Sequence, residues 1–431
     1  MVASGCFLAV AGATAALVRD KTLFVLSVGA RDAAALEFQL LAEPEVRAAV
    51  LKADAPDDEN PGAQQHAVTV NCVSDVVLFQ PAGRDAPLAL LVLVDERKLV
   101  HYDVDVAAGA VVYRSLRTLP RNAVCMGVAH LDAGGERRHV VIAGVKTGEA
   151  LAMPFPDIAR DTKTLLGHTT SMIVHLAVNR DSTLLLTADR DEKVRVSGFP
   201  RTALVQSYCL GHAESLTRVA ASALSPALAV TTSLDNTLKL WNLADGALVD
   251  SAALLPAALA SAKALLHTSL AVAAPSDIVA VALGYQAVRL FAIVAAADGA
   301  SPPRLESLAL PPATQALLDE SEPAEVAFTS AGVLVVAYRR APFVRLFHVT
   351  VDVTQAGAVV VAESADALVA DSALAQLRAS FATIEIEVAA RVVDEFEDGL
   401  RKKKIRTDFD WKSKLAALGP SAKANTGAAA Q

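Results

Sequence analysis

The chain has 431 residues, is 53% hydrophobic but only 5% aromatic, and carries a formal net charge of −8. Such a composition supplies a large core built from small aliphatic pieces, and an acidic body of this kind is not made to coat nucleic acid nonspecifically. Four cysteines at 6, 72, 125 and 209, with no Cys-x-x-Cys pair and no histidine at zinc spacing, exclude a disulfide-rich or metal-clipped framework and fit a reducing compartment.

Taken in chain order, residues 1–18 form an apolar stretch that resembles a signal peptide. It lacks a basic leading segment, and its pattern runs on through Arg19-Asp20-Lys21 into Leu23–Val28. A first pair of strands is therefore expected here, with no cleaved leader and no membrane span. Asp20-Lys21-Thr22-Leu23-Phe24-Val25-Leu26-Ser27 reads as a tight turn followed by a strand. Residues 52–65 (KADAPDDENPGAQQ) read as a polar loop insertion between strands. Lys98–Asp103 and Thr147–Pro154 repeat the strand ending more weakly, the first with Tyr102-Asp103 where a Trp-Asp pair is the stronger form.

The most informative region is 165–245, where two segments superimpose without a gap. Gly167-His168 is followed by Asp191 and then Ser197, and Gly211-His212 by Asp235 and then Trp241, at a period of 44 residues. That period is the length of a WD-repeat blade, a four-stranded antiparallel sheet. In such a blade the turn aspartate is expected to reach the Gly-His histidine. The histidine in turn bonds a threonine (Thr187 or Thr231), and the Trp241 indole closes the chain. His168, Asp191, His212, Asp235 and Trp241 are accordingly assigned structural roles, although the His–Asp pairs look like acid–base machinery.

Val288–Phe291 and Val344–Phe347 add two further endings, so marks fall at 26, 102, 153, 197, 241, 291 and 347. Seven marks predict an all-β chain, a seven-bladed WD-repeat β-propeller over residues 1–365. Ring closure is expected from the two chain ends sharing one blade, residues 1–10 pairing with 356–363, since an unpaired edge is a liability. Beyond it, Leu374, Leu377, Phe381, Ile384 and Val388 follow 3-4-3-4 spacing, which predicts a helix within a 366–414 helical and basic segment. The run Ile384–Val388 also alternates with period two, so both assignments stay open there. Residues 415–431 read as a disordered tail.

No phosphate-binding loop, Gly-x-Gly-x-x-Gly turn, Gly-x-Ser-x-Gly elbow or His-Glu-x-x-His helix is present. The absences together favour a scaffold with no catalytic residue, cofactor or metal over a propeller enzyme. One turn stands apart: Asp189-Arg190-Asp191-Glu192-Lys193-Val194-Arg195 packs three acids and three bases into seven positions. Strand alternation puts Lys193 and Arg195 on one face. Either this is a solvated edge with local ion pairs, or it is a docking patch for a partner.

Thr187–His212 (TADRDEKVRVSGFPRTALVQSYCLGH), with Leu165–Val178 upstream, resembles the WD-repeat non-catalytic subunit of eukaryotic tRNA (guanine-N7)-methyltransferase. Serine at 197 in place of the blade tryptophan is itself a trait of that family. The close match covers about 165–245. The resemblance implies a heterodimer with a catalytic methyltransferase that holds S-adenosylmethionine and forms N7-methylguanosine in the tRNA variable loop, the propeller stabilising the partner and helping to hold tRNA. It implies partner docking by Asp189, Arg190, Glu192, Lys193 and Arg195. It also implies a basic extension, Arg401, Lys402, Lys403, Lys404 and Arg406, which either touches tRNA phosphates or acts as a nuclear localisation signal. Phe409 and Trp411 beside it either stack on a base or pack on the protein. The expected location is the nucleus, with the cytoplasm also open. The competing function is a generic WD-repeat adaptor in a ubiquitin-ligase or ribosome-assembly complex.

Overall fold

A computed structural model describes residues 6–28, 35–42, 46, 49, 72–81, 86–133, 136–160, 162–169, 171–257, 259, 265–274, 276–295, 302–352, 358–363 and 371–382. They form seven four-stranded antiparallel sheets. In chain order these are blades 1 to 7, spanning residues 6–39, 73–118, 123–167, 173–210, 216–253, 268–307 and 323–363. The first strand of each blade lies innermost, beside the first strands of its neighbours, around a ring. All seven sequence marks fall on the third strand of a blade, from Thr22–Ser27 in blade 1 to Val344–Asp352 in blade 7.

The second strands explain the aliphatic composition. Leu88–Val94, Ile278–Leu283 and Val333–Tyr338 are buried along their whole length, because a neighbouring blade covers each face of the sheet. Strands buried on both sides read as continuous apolar runs instead of alternating ones. Each fully buried Val or Leu contributes about 1.5–3 kcal/mol relative to an exposed one. The apolar clusters therefore sit at the seams: Leu23 and Val25 of blade 1 with Leu90 and Val92 of blade 2, and Val230 and Leu240 of blade 5 with Val279 and Val281 of blade 6. At the blade 3–4 seam the room comes from glycine instead. A side chain at Gly144 would meet the Cys125 sulfur at 2.7 Å and Ile173 at 2.8 Å.

Ring closure corrects the expectation of a shared blade. Blade 1 is complete from Cys6–Ala11 to Leu36–Gln39, and blade 7 from Pro323–Phe328 to Ala358–Glu363, each from consecutive strands. Packing closes the ring instead. Leu17, Phe24 and Leu26 of blade 1 share a cluster with Val335, Val344 and Leu346 of blade 7. The Arg19 guanidinium donates to the Arg339 carbonyl at 2.8 Å and lies 4.7 Å from the Phe343 ring centre. The helix Asp371–Ala382 straps this seam. Its Leu377 and Phe381 are buried, Phe381 standing edge-on to Phe24 at 5.0 Å, and Ser380 Oγ donates to Glu37 at 2.9 Å. Leu377 and Phe381 lie on the face that the 3-4 spacing anticipated, while Ile384 and Val388 lie outside the described residues.

A short helix, Pro312–Asp319, was not anticipated. It sits between blades 6 and 7, where Asp319 Oδ1 accepts the Val288 amide at 2.8 Å and Leu318 is fully buried. No helix among the described residues is long and apolar enough to cross a membrane.

Candidate functional site

The charged turn lies in blade 4, and its frame is best built from blade 5, where the repeat is complete. There the His212 Nδ1 lies 2.8 Å from Asp235 and its Nε2 lies 2.7 Å from the Thr231 hydroxyl. The Trp241 indole N–H donates to the same hydroxyl at 2.7 Å. Asp235 also accepts the Ala213 amide at 3.0 Å and the Thr237 amide and hydroxyl at 3.0 and 2.5 Å. Burial alone would raise this carboxyl, but the hydrogen bonds from His212, Thr237 and Ala213 outweigh it and hold Asp235 well below the usual carboxylate range. Every polar atom of the chain of contacts is engaged, so the pair links strands and leaves no free base.

Blade 4 keeps the histidine and threonine and changes the acid. His168 Nε2 lies 2.7 Å from Thr187 Oγ1, matching blade 5, but Nδ1 lies 2.9 Å from Asp189, not from Asp191. Asp189 is fully buried. This corrects two expectations at once: Asp191 is not the partner of His168, and Asp189 does not face a docking partner. The reason is positional. Asp189 ends the second strand of its blade, Leu184–Asp189, where blade 5 has Ser233. A carboxylate there reaches the histidine directly. It also closes the turn itself, accepting the amides of Asp191 at 2.8 Å and Lys193 at 3.3 Å. Glu192, at φ +71°, takes the left-handed turn position that Asn236 takes in blade 5 at φ +66°.

The basic residues differ in how far they are engaged. Lys193 Nζ lies 3.1 Å from buried Asp189, with about a third of its side chain still exposed. Arg195 is a strut: its guanidinium donates to the Gly167 carbonyl at 3.1 Å, the Thr202 carbonyl at 3.1 Å and Ser197 Oγ at 3.0 Å. It ties the end of blade 3 to the last connection of blade 4. Arg190 is half-buried, and its Nε has no hydrogen-bond partner among the described residues. Arg190, Asp191, Glu192 and Lys193 are the half-exposed charges of this turn.

Upstream, Gly148 positions the histidine, its carbonyl oxygen accepting the His168 amide at 2.7 Å. It does so at φ +91°, with the Ser171 carbonyl where a side chain would stand, so only glycine fits.

Sequence reasoning missed the outer strand of the blade, Val205–Leu210. It pairs in register with the charged strand, Leu210 opposite Lys193 and Tyr208 opposite Arg195. Ser207 and Cys209 turn inward, and burial pushes the Cys209 thiol up to about 12. Tyr208 and Leu210 turn outward at 42% and 63% exposure, beside exposed Leu204 and Val205. An apolar strip on an unpaired edge is a recognised mark of association. Its signal was present as Tyr and Leu at alternate positions of a strand whose intervening residues are small. Arg401, Lys402, Lys403, Lys404, Arg406, Phe409, Trp411 and the 52–65 loop lie outside the described residues.

Comparison with known proteins bears on the same blades. Residues 152–342 match the family model described as the tRNA methyltransferase TRM82 WD40 domain. Among curated relatives, the human tRNA (guanine-N(7)-)-methyltransferase non-catalytic subunit WDR4 is 43% identical over 81 residues, 19% of each chain. The subunit wuho of Drosophila mojavensis is 35% identical over 25% of this chain and 27% of its own, and that of Culex quinquefasciatus 30% identical over 35% of each. The chain thus spans about a fifth to a third of the length of these relatives. A chain in a crystal structure of the mitotic checkpoint complex superimposes with a TM-score of 0.52 at 15% identity, covering 78% of this chain and 87% of that one, a likeness of fold alone. Over residues 152–342, less than half of its length, the chain is similar to the WD40 domain described for the tRNA methyltransferase TRM82.

Proposed function

We propose that this chain is the non-catalytic scaffold subunit of a tRNA guanine-N7-methylating enzyme. It binds and stabilises a catalytic methyltransferase, and that partner carries the S-adenosylmethionine. The observation that carries this reading is the match to the TRM82 WD40 domain, which spans the whole of blades 4 and 5. Docking uses Arg190, Glu192 and Lys193 on the blade 4 turn together with the apolar strip of Tyr208 and Leu210 on the adjoining strand. A mixed surface of this kind fits a lasting subunit contact: apolar area supplies affinity, and the charges select the partner and its orientation. Arg401, Lys402, Lys403, Lys404 and Arg406 either touch tRNA phosphates or direct the chain to the nucleus.

Co-purification tests this reading. The full chain is expected to bring down a methyltransferase and N7-methylguanosine-forming activity on tRNA. Arg190→Glu with Lys193→Gln is expected to lose at least tenfold in recovered activity while unfolding normally. Arg195 is left intact because it braces the blade. A wild-type chain that captures other proteins and no methyltransferase would overturn the reading in favour of an adaptor of another complex.

A further inference from the structure

The inner strands of the ring carry a pattern unrelated to docking. In five blades the first strand contains a bulge, one extra residue opposite the second strand. The residue just after it is Asp75 in blade 2, Cys125 in blade 3, His175 in blade 4, Arg218 in blade 5 and Glu325 in blade 7. Equivalent register places these five side chains at one level of the axis.

They also staple the ring. Asp75 Oδ2 accepts the Met126 amide of blade 3 at 2.6 Å. Cys125 meets the Leu176 backbone of blade 4, and His175 Nδ1 lies 3.1 Å from the Val219 carbonyl of blade 5. Ser269 of blade 6 accepts the Val326 amide of blade 7 at 3.2 Å. In each case the contact is to the residue following the axial residue of the next blade.

We propose that this axial cluster is a proton-linked lock on the ring, in which closing the ring moves one proton from His175 to Asp75. Asp75 and His175 are half-buried on the inner strands, and partial burial disfavours the charge of each, that of the imidazole further because of the Arg218 guanidinium. Burial, opposed mainly by the Met126 amide and Arg218, pushes Asp75 up to about 7. Burial, aided by Arg218, brings His175 down to about 3. The groups facing the pair from the other blades are consistent with this. Burial also raises the Cys125 thiol and the Glu325 carboxyl, and Arg218 is the cation within electrostatic reach of both. At the blade 7–1 seam Cys6, with Arg19 and Arg339, adjoins Glu325.

In the unfolded chain at pH 4–6.5 the aspartate is ionised and the histidine protonated. In the ring both are neutral, so the proton count is unchanged. The two contributions to stability then run in opposite directions. That of Asp75 is fully present below its unfolded value and is lost as pH rises to about 7. That of His175 is present above its unfolded value and is lost as pH falls toward 3.

Chemical unfolding of the full chain from pH 4.5 to 7 tests the lock in wild type, Asp75→Asn, His175→Gln and the double variant. The Asn variant is expected to gain stability with pH relative to wild type, by about one proton in linkage. The Gln variant is expected to lose it by the same amount, and the double variant to run parallel to wild type. Single variants that both run parallel to wild type would overturn the proposal. Should either fail to fold, the imidazole resonance assigned to His175 in the wild-type chain decides. It is expected to stay at its neutral position to pH 4.5, and titration near 6.5 would overturn the lock.

Discussion

Blades 4 and 5 lie 44 residues apart in the repeat, and both hold a Gly-His histidine 2.7 Å from a buried threonine hydroxyl. Around that shared contact they diverge. Blade 5 seats its acid on the turn and closes the contact with the Trp241 indole. Blade 4 seats its acid at the end of a strand and has fully buried Ser197 at the tryptophan position. With no indole, blade 4 is braced by Arg195, which reaches Thr202 in its own last connection and Gly167 at the end of blade 3. The histidine–threonine contact is thus the tolerant invariant of the repeat, while the acid and the aromatic can be exchanged. The divergence falls on the blade whose turn and edge strand form the candidate docking surface. A blade that holds itself together needs no strut, and one that presents charge and apolar side chains outward does.

The sharpest way to break this comparison is to remove the indole. Trp241→Ala deletes a side chain that is among the largest fully buried and strips one donor from Thr231. It is expected to cost about 3–5 kcal/mol by chemical denaturation. A cost near zero would mean that blade 5, too, is braced by its neighbours. Next in size is the choice of acid in blade 4. Asp189→Asn loses a charge shared by His168, Lys193 and two backbone amides, and is expected to cost about 1.5–3 kcal/mol. Asp191→Asn, on the half-exposed turn, is expected to stay within about 0.5 kcal/mol of wild type. Equal costs would return Asp191 to the role that the repeat alignment gave it.

Why that alignment misassigned the acid is instructive. Gapless superposition sees spacing along the chain, and both acids of the Asp189-Arg190-Asp191 run lie within reach of the right spacing. Which one turns inward depends on where the strand ends, and Leu184–Asp189 runs to its first acid. The seven third strands were legible because a turn and the alternation after it are local. The closure was not, because blades 1 and 7 meet through Phe24 on one side and Phe343 and Phe381 on the other, hundreds of positions away, with no common pattern. The axial residues were hidden for a third reason. Asp75, Arg218 and Glu325 look like solvent-facing charges in alternating strands, and a single bulged residue before each turns them to the axis.

The smallest expected effect concerns charge in blade 5 alone. Asp235 is held well below the ordinary carboxylate range by His212, Thr237 and Ala213 against the cost of burial. Its stabilisation is therefore fully present above the unfolded value, about 3.9, and is lost as pH falls below it. Asp235→Asn keeps the shape of the side chain and removes the charge. At pH 7 the variant is expected to be less stable than wild type, and the gap is expected to shrink steadily from pH 4 toward pH 2 as Asp235 of the unfolded chain takes up its proton while the folded residue stays ionised. Urea unfolding across that range reads the gap directly. A gap that stays constant would show that blade 5 depends on the geometry of the Asp235 oxygens and not on their charge, and would leave the turn aspartate with no electrostatic part in the repeat.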